Sequence, residues 1–357
     1  MCRRVLLLAL TLLPIVSGLL TTRSTTILPI PLRQRPSFLT MIASSLPSNQ
    51  PSTPFDPEHR QKPPHRISKS EFMREVWVCR GMLTAVLGLI IAHRRRVEAW
   101  VQRIYLDFLL PSAVFRHYAF EPILSSLLFT TYILFFRFMD FSLDFTKKYR
   151  IQANDSMEAW KNRVQDAIRH EGFWYLAFWV PFGGIMKKRR VPAFAPSLLT
   201  LLREVFLGLV IYDLLFFLGH NLLHRVPFLY SRIHRKHHSM TTVRVGDAIR
   251  HSFLDGSWDV ACAVIALNLL QAHCLSRSLF NAIAIYLITE AHCGLNLPWM
   301  PANVIPFGLL AGPVAHDLHH QRGGHNFQKF FTYLDRLFGT YRAGSRSFAE
   351  PSSDSRD

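Results

Sequence analysis

Five apolar runs divide the chain after its first seventy residues: Val76 to Ala92, Pro122 to Met139, Phe173 to Met186, Leu198 to Gly219 and Trp258 to Thr289. A bilayer span needs roughly 20 apolar residues, so these runs are of spanning or near-spanning length. They predict an all-α fold, an integral membrane helical bundle. The last run, 32 residues, suits a tight pair of short helices or one tilted helix, and a break between Gln271 and Ser278 supports the pair. Such a hairpin returns both its ends to one side of the membrane and leaves His273 at the tip, about 25 Å from the other end.

Composition agrees. With 49% hydrophobic residues and 18% charged, and a mean hydropathy of +0.14, the chain is too apolar for an ordinary soluble domain of 357 residues or for disorder. A net charge of +17 suits nucleic acid or an anionic membrane face. The basic stretches His93 to Arg96, Lys187 to Arg190 and Arg232 to Lys236 lie beside the apolar runs, and no nucleic-acid-binding pattern is visible, so the membrane is the expected partner and nucleic acid is not. Five cysteines without a CxxC pair imply neither a disulfide framework nor a cysteine metal site.

Residues 1–70 read as a leader. Val5 to Leu20 after a basic start has the form of a signal peptide, and the acid-poor, Ser/Thr/Pro-rich stretch from Thr21 to Phe55 resembles a transit segment or a disordered leader. The expected location is the endoplasmic reticulum membrane, with a plastid or other organelle membrane as the alternative. Residues 71–190 form N-terminal membrane helices and a connecting segment, 191–344 a catalytic domain, and 345–357 a disordered polar tail. The positive-inside bias is at odds with Lys187 to Arg190, which would lie on the far side of Leu198 to Gly219 from His220.

Twelve of the 17 histidines fall between His220 and His325. Three clusters stand out: His220 with His224, His234 with His237 and His238, and His316 with His319 and His320. Helical residues three or four apart project from one face about 5 to 6 Å apart, so each cluster can aim its imidazoles at one point. One HxxxH pair is easily coincidence, whereas two HxxHH sets beside it point to a metal site. Eight imidazoles are too many for one tetrahedral zinc. Two metals could share them and keep positions open for oxygen, and iron suits a membrane site facing unactivated hydrocarbon better than zinc. His292, at the return of the hairpin, is a further candidate ligand, and His251 a ligand or near neighbour. His273, His325, His93, His117 and His170 are set aside. Asp213, two helical turns before His220, and Asp317, beside His316, are candidates to orient ligand histidines, as is Asp247.

These residues resemble the membrane fatty acid hydroxylase and sterol desaturase superfamily, whose signature is HxxxH, HxxHH and a later HxxHH. The resemblance runs from about Leu198 to Arg342 and includes the closing pattern of Asn326-Phe327 and Leu334-Asp335 to Gly339-Thr340. The segment His292 to Trp299 is similar to the sterol C4-methyl oxidase and cholesterol 25-hydroxylase branch. His251 to Gly256 is similar to the sterol C5-desaturase branch, but Ser252 stands where that branch often has proline. The resemblance implies a non-haem di-iron site on one face of the membrane, held by His220, His224, His234, His237, His238, His316, His319 and His320 with His292 and, less firmly placed, His251. It implies an oxygenase that hydroxylates or oxidises an alkyl carbon of a sterol or related lipid. No HPGG haem motif is present, so a separate electron donor such as cytochrome b5 with its reductase is expected, docking on Arg225, Arg232, Arg235, Lys236 and Arg250. Fatty-acyl hydroxylation or desaturation, sterol C5-desaturation, and a non-catalytic metal-binding membrane protein are the alternatives.

Overall fold

The structure is a computed structural model, and it describes residues 67–152, 177–181, 190–240 and 242–344. The leader, most of the Phe173 to Met186 run, His170, Lys187 to Arg189 and the tail lie outside these residues. The principal helices are α1 (Lys69–Ala92), α2 (Phe120–Ser142), α3 (Leu198–Arg225), α4 (Phe253–Leu269), α5 (Cys274–Ala291) and α6 (Gly312–Arg322). Among the described residues there is no strand, only isolated bridges at Arg150–Leu295 and Leu310–Phe331.

Local chemistry accounts for the helix starts. Ser68, Ser197 and Ser252 each accept a hydrogen bond from the backbone N–H three residues on, opening α1, α3 and α4. Two helices, Lys69–Ala92 and Phe120–Asp140, are long and apolar enough to cross a membrane. On α1 only Phe72 and Val76 are buried, while Trp77, Met82 and Ile91 are 63%, 65% and 73% exposed. Residues 81–92 of this helix carry no charge and are left largely uncovered by protein, a surface whose compatible surroundings are lipid.

The long apolar run from Trp258 folds as a hairpin: α4 ends at Leu269, the chain turns, and α5 begins at Cys274 with His273 as its N-cap. Both arms pack on α3, and α5 also packs on α2. One core joins Val205, Leu209 and Phe216 of α3 to Cys262, Ala266 and Leu267 of α4 and Phe280, Ala284 and Ile288 of α5. A second joins Phe72 and Val76 of α1 and Ile133, Phe136 and Met139 of α2 to Val245, Cys293, Leu295 and Leu297. Residues from segments 71–190 and 191–344 share this second core.

The α3–α4 crossing is close at Gly219, where an added Cβ would lie 2.2 Å from Trp258 Nε1. Gly219→Ala must push the hairpin off α3, and overpacking of this kind costs about 1–3 kcal/mol. The variant should melt at a lower temperature than the wild type in detergent, and an unchanged midpoint would contradict this packing.

Candidate metal centre

The first histidine pair sits on the last turns of α3, where a four-residue separation puts His220 and His224 on one face. The next three are not on a regular α-helix. His234 ends a π-helical turn, Tyr230–His234, and His237 and His238 open a 3₁₀ turn, His237–Ser239. Single π turns of this type recur at functional sites because they re-aim side chains. On α6, at about 100° per residue, His320 lies about 40° to one side of His316 and His319 about 60° to the other. An HxxHH set on one helix can therefore serve two points.

That is how the rings are shared. The ligating nitrogens of His220, His224, His234, His238 and His319 lie within 4.8 Å of one another, and those of His237, His292, His316 and His320 form a second group by the same measure. His292 caps the C-terminus of α5. The chain turns away at Gly294, where φ is +72° and an added Cβ would lie 2.9 Å from the Val243 carbonyl oxygen, so there is no room for a side chain.

The outward nitrogens are pinned. Nδ1 of His220 donates to the Phe327 carbonyl, Nδ1 of His292 to Ile288 and Nδ1 of His319 to His325, each at 2.7 Å. A carbonyl can only accept, so Nδ1 carries the proton and Nε2 an inward lone pair. His234 Nδ1 bonds the Asp255 carboxylate at 2.8 Å, which fixes the same tautomer. Nε2 of His234 lies 3.1 Å from Nε2 of His220, whose lone pair points inward. Other ring nitrogens meet at 2.8 Å (His316 with His292) and 3.1 Å (His319 with His238, His320 with His316). Nε2 of His224 is buried with no hydrogen-bond partner among the described residues. Lone pairs crowded this closely are stable around a cation. Two nitrogens about 2.1 Å from one ion and at right angles to it sit about 3 Å apart. The donor set fits a metal.

Burial keeps these rings neutral, as metal binding requires. It holds His292 and His319 down to about 3, from an ordinary 6.5, and pushes His237, His316 and His320 well below that ordinary value, neighbouring imidazoles adding to the effect.

The carboxylates differ from the expectation. Asp213 touches no histidine: its oxygens accept from the backbone N–H groups of Lys329, Phe330 and Phe331 and from Gln328 Nε2. Asp317 accepts from the Gln152 and Gln321 amides. Asp247 accepts from the Arg244 backbone N–H. The carboxylate bonded to a ring is Asp255, in the first turn of α4, which the spacing from the histidine clusters did not single out. The three carbonyls have no side-chain signature. His251 falls outside both groups and stacks on His237 with centroids 4.4 Å apart. His273 stands at the hairpin tip, bonded to the Phe194 carbonyl.

A cavity of about 750 Å³ lies between α2, α4 and α5. Its inner end is walled by Tyr212, Asp259 and Ile288, and its outer end by Glu121, Asn268, Gln271 and Arg277. Ile288 supplies the carbonyl that holds His292, and Tyr212 stacks on Phe216, whose ring lies 4.9 Å from that of His220. Ile288 thus links the cavity wall to one histidine group, and Tyr212 with Phe216 links it to the other.

Residues 205–340 match the family model described as fatty acid hydroxylase. Over this segment the chain is similar to the fatty acid hydroxylase family. Similar proteins include a cholesterol 25-hydroxylase-like protein of Danio rerio, 35% identical over 41% of this chain and 58% of the relative. Cholesterol 25-hydroxylase of Homo sapiens is 36% identical over 43% of this chain and 57% of its own length. A cholesterol 25-hydroxylase-like protein of Caenorhabditis elegans is 27% identical over 61% and 77%. The chain thus spans a little over half the length of the first two relatives. No solved structure matches.

Two outcomes are expected. Between the folded value of about 3 and the ordinary 6.5 of His292 and His319, the unfolded chain binds more protons, so stability rises with pH across that window. Chelator-stripped protein should melt at a lower temperature at about pH 5.5 than at about pH 7.5, and a flat profile would refute the buried neutral rings. Asp255→Ala should weaken iron(II) binding about 10- to 100-fold in titrations of stripped protein, with Asp317→Ala close to wild type.

Proposed function

We propose that this chain is a membrane-bound, iron-dependent hydroxylase that oxidises an alkyl carbon of a sterol or related lipid. The observation that carries the reading is the gathering of nine imidazoles into two groups whose ligating nitrogens lie within 4.8 Å of one another, with the inward lone pairs of His220, His292 and His319 set by carbonyl acceptors. In this reading His220, His224, His234, His238 and His319 hold one iron and His237, His292, His316 and His320 a second. Iron so held supplies the oxygen chemistry that side chains lack, with two electrons from a separate donor such as cytochrome b5 and its reductase.

The chain's own residues do the rest. The carbonyls of Ile288, His325 and Phe327 and the Asp255 carboxylate fix ring orientation and keep every inward nitrogen available. The apolar walls of the cavity exclude water and bring hydrocarbon to the wall formed by Tyr212 and Ile288. Its volume lies within the range of about 300–1,000 Å³ usual for small-molecule sites. Arg225, Arg232, Arg235 and Lys236 are exposed around the second histidine cluster and suit an acidic donor docking beside the metal groups. Lys69–Ala92 and Phe120–Asp140 serve as membrane spans, and the apolar start Val5 to Leu20 suits the endoplasmic reticulum.

His238→Ala should remove bound iron and abolish product, whereas His273→Ala should keep both near wild type. Lipid profiling and iron determination on membranes expressing each variant test this. Wild-type product from His238→Ala would sink the ligand assignment, and altered acyl chains with unchanged sterols would move the substrate to fatty acyl groups.

A further inference from the structure

Lys329 is a buried cation. It stands on the loop that follows α6, its backbone N–H held by Asp213 at 2.9 Å, and its side chain is 3% exposed. Nζ donates to Asp259 Oδ2 at 2.7 Å, and the other oxygen of that carboxylate accepts from the Tyr212 hydroxyl. The two ends of this ion pair have different surroundings. Asp259 and Tyr212 line the cavity, whereas the ammonium lies over the Phe216 ring, 4.0 Å from its centroid. Phe216 in turn packs on His220, with ring centroids 4.9 Å apart, so one aromatic side chain touches both the cation and a ring of the first histidine group. The same charge reaches the second group. Burial, and after it charges that include the Lys329 ammonium, hold His292 and His316 below the ordinary histidine value.

Stability alone does not account for this pair, because the cost of desolvating two charges offsets most of their attraction. Its position beside the histidine groups gives it a second effect. The ligand set is imidazole, neutral when it binds a metal, so the ligands leave the charge of a bound metal uncompensated. A further positive charge nearby favours whichever oxidation state carries less charge, and in the interior salt screens that field far less than at the surface. The Asp259 carboxylate opposes the effect from the cavity side, and Asp255 opposes it at His234.

We propose that Lys329 tunes the reduction potential of the iron: its ammonium, seated on Phe216 beside the first histidine group, favours Fe(II) over Fe(III). The proposal rests on the iron-dependent hydroxylase reading and adds a residue that governs how readily the centre accepts electrons. On reduction each iron gains one electron from the separate donor and its charge falls by one. Lys329 makes and breaks no bond in that step and moves no proton. It acts through space on the region the rings enclose and is neither a ligand nor a group that touches substrate.

The test is an anaerobic redox titration of the full-length, iron-loaded protein in detergent, with soluble mediators and the ratio of Fe(II) to Fe(III) read by Mössbauer spectroscopy. Iron content is measured on the same samples. Lys329→Met removes the cation and leaves the Asp259 anion, so the ratio at a fixed potential should fall about tenfold. Asp259→Asn leaves the cation unopposed and should raise the ratio by a similar factor. Lys329→Arg keeps the charge and should stay close to wild type. Opposite shifts from the two halves of one contact are an electrostatic signature, since loss of packing would move both variants the same way. Shifts of one sign, or unshifted potentials in variants that keep their iron, overturn the proposal and leave the hydroxylase reading in place. Should Lys329→Met fail to fold, Asp259→Asn, which preserves shape, decides by the sign of its shift. Wild-type protein that takes up no iron on loading overturns both.

Discussion

Nine imidazoles crowd the interior in two groups, and those of His220, His292 and His319 turn lone pairs inward because their Nδ1 protons go to backbone carbonyls. A buried acceptor left unpaired costs about 1–3 kcal/mol, and a cation shared among such nitrogens removes that cost. The rest of the fold serves to maintain this arrangement. Helix α3 delivers two rings, an irregular π and 3₁₀ segment three, the end of the hairpin one, and α6 three. No single segment could do this, because a helix face offers few positions within reach of one point, and two groups need rings from opposite directions.

Holding the rings is the work of a loop with no histidine ligand in it. Residues 325–331 supply the carbonyls of His325 and Phe327 to His319 and His220. Three polar side chains fasten that loop. Asn326 bonds the Ala315 and Arg342 carbonyls, Asp335 accepts from the backbone N–H groups of Phe327 and Gln328, and Asp213 accepts from those of Lys329, Phe330 and Phe331. The Asn326-Phe327 and Leu334-Asp335 to Thr340 pattern thus has a physical meaning. It fixes a strip of backbone whose carbonyls set imidazole tautomers, one step removed from the metal groups. Asp213 acts on the same strip from inside α3, so an acidic residue in an apolar helix is stabilised by four hydrogen-bond donors and not by a histidine.

What could be read from the linear chain was whatever spacing alone determines. The i, i+3 and i+4 intervals identified the histidine clusters, and a hairpin's two ends separated His292 from His273. Spacing on a helix also underlies the division of HxxHH between two groups, but that division depends on a partner for each face, and His237 and His320 meet only because the π turn after Tyr230 redirects the chain. The second tier was less legible for a simpler reason. Asp213, Asp247, Asp255 and Asp317 look alike in sequence, and which one meets a ring depends on helix rotation, a tertiary quantity. Carbonyl acceptors belong to every residue, so Ile288, His325 and Phe327 carried no signal. The core that joins Phe72 and Phe136 to Leu295 and Leu297 is likewise a matter of packing between distant segments.

For an enzyme that oxidises unactivated carbon, the reacting end of the substrate offers nothing to recognise. A methyl or methine group differs from its neighbours by a fraction of a kilocalorie in any apolar contact, so selectivity among carbons has to be set where the ligand is polar and transmitted by length. In this fold α5 is a helix packed on α2 and α3, and its return end carries Ile288, whose carbonyl holds His292. A polar contact made with a ligand nearer the tip of the hairpin would stand at a distance from the rings set by the helical rise of about 1.5 Å per residue, so the length of α5 is what would carry a choice made at the polar end to the reacting end.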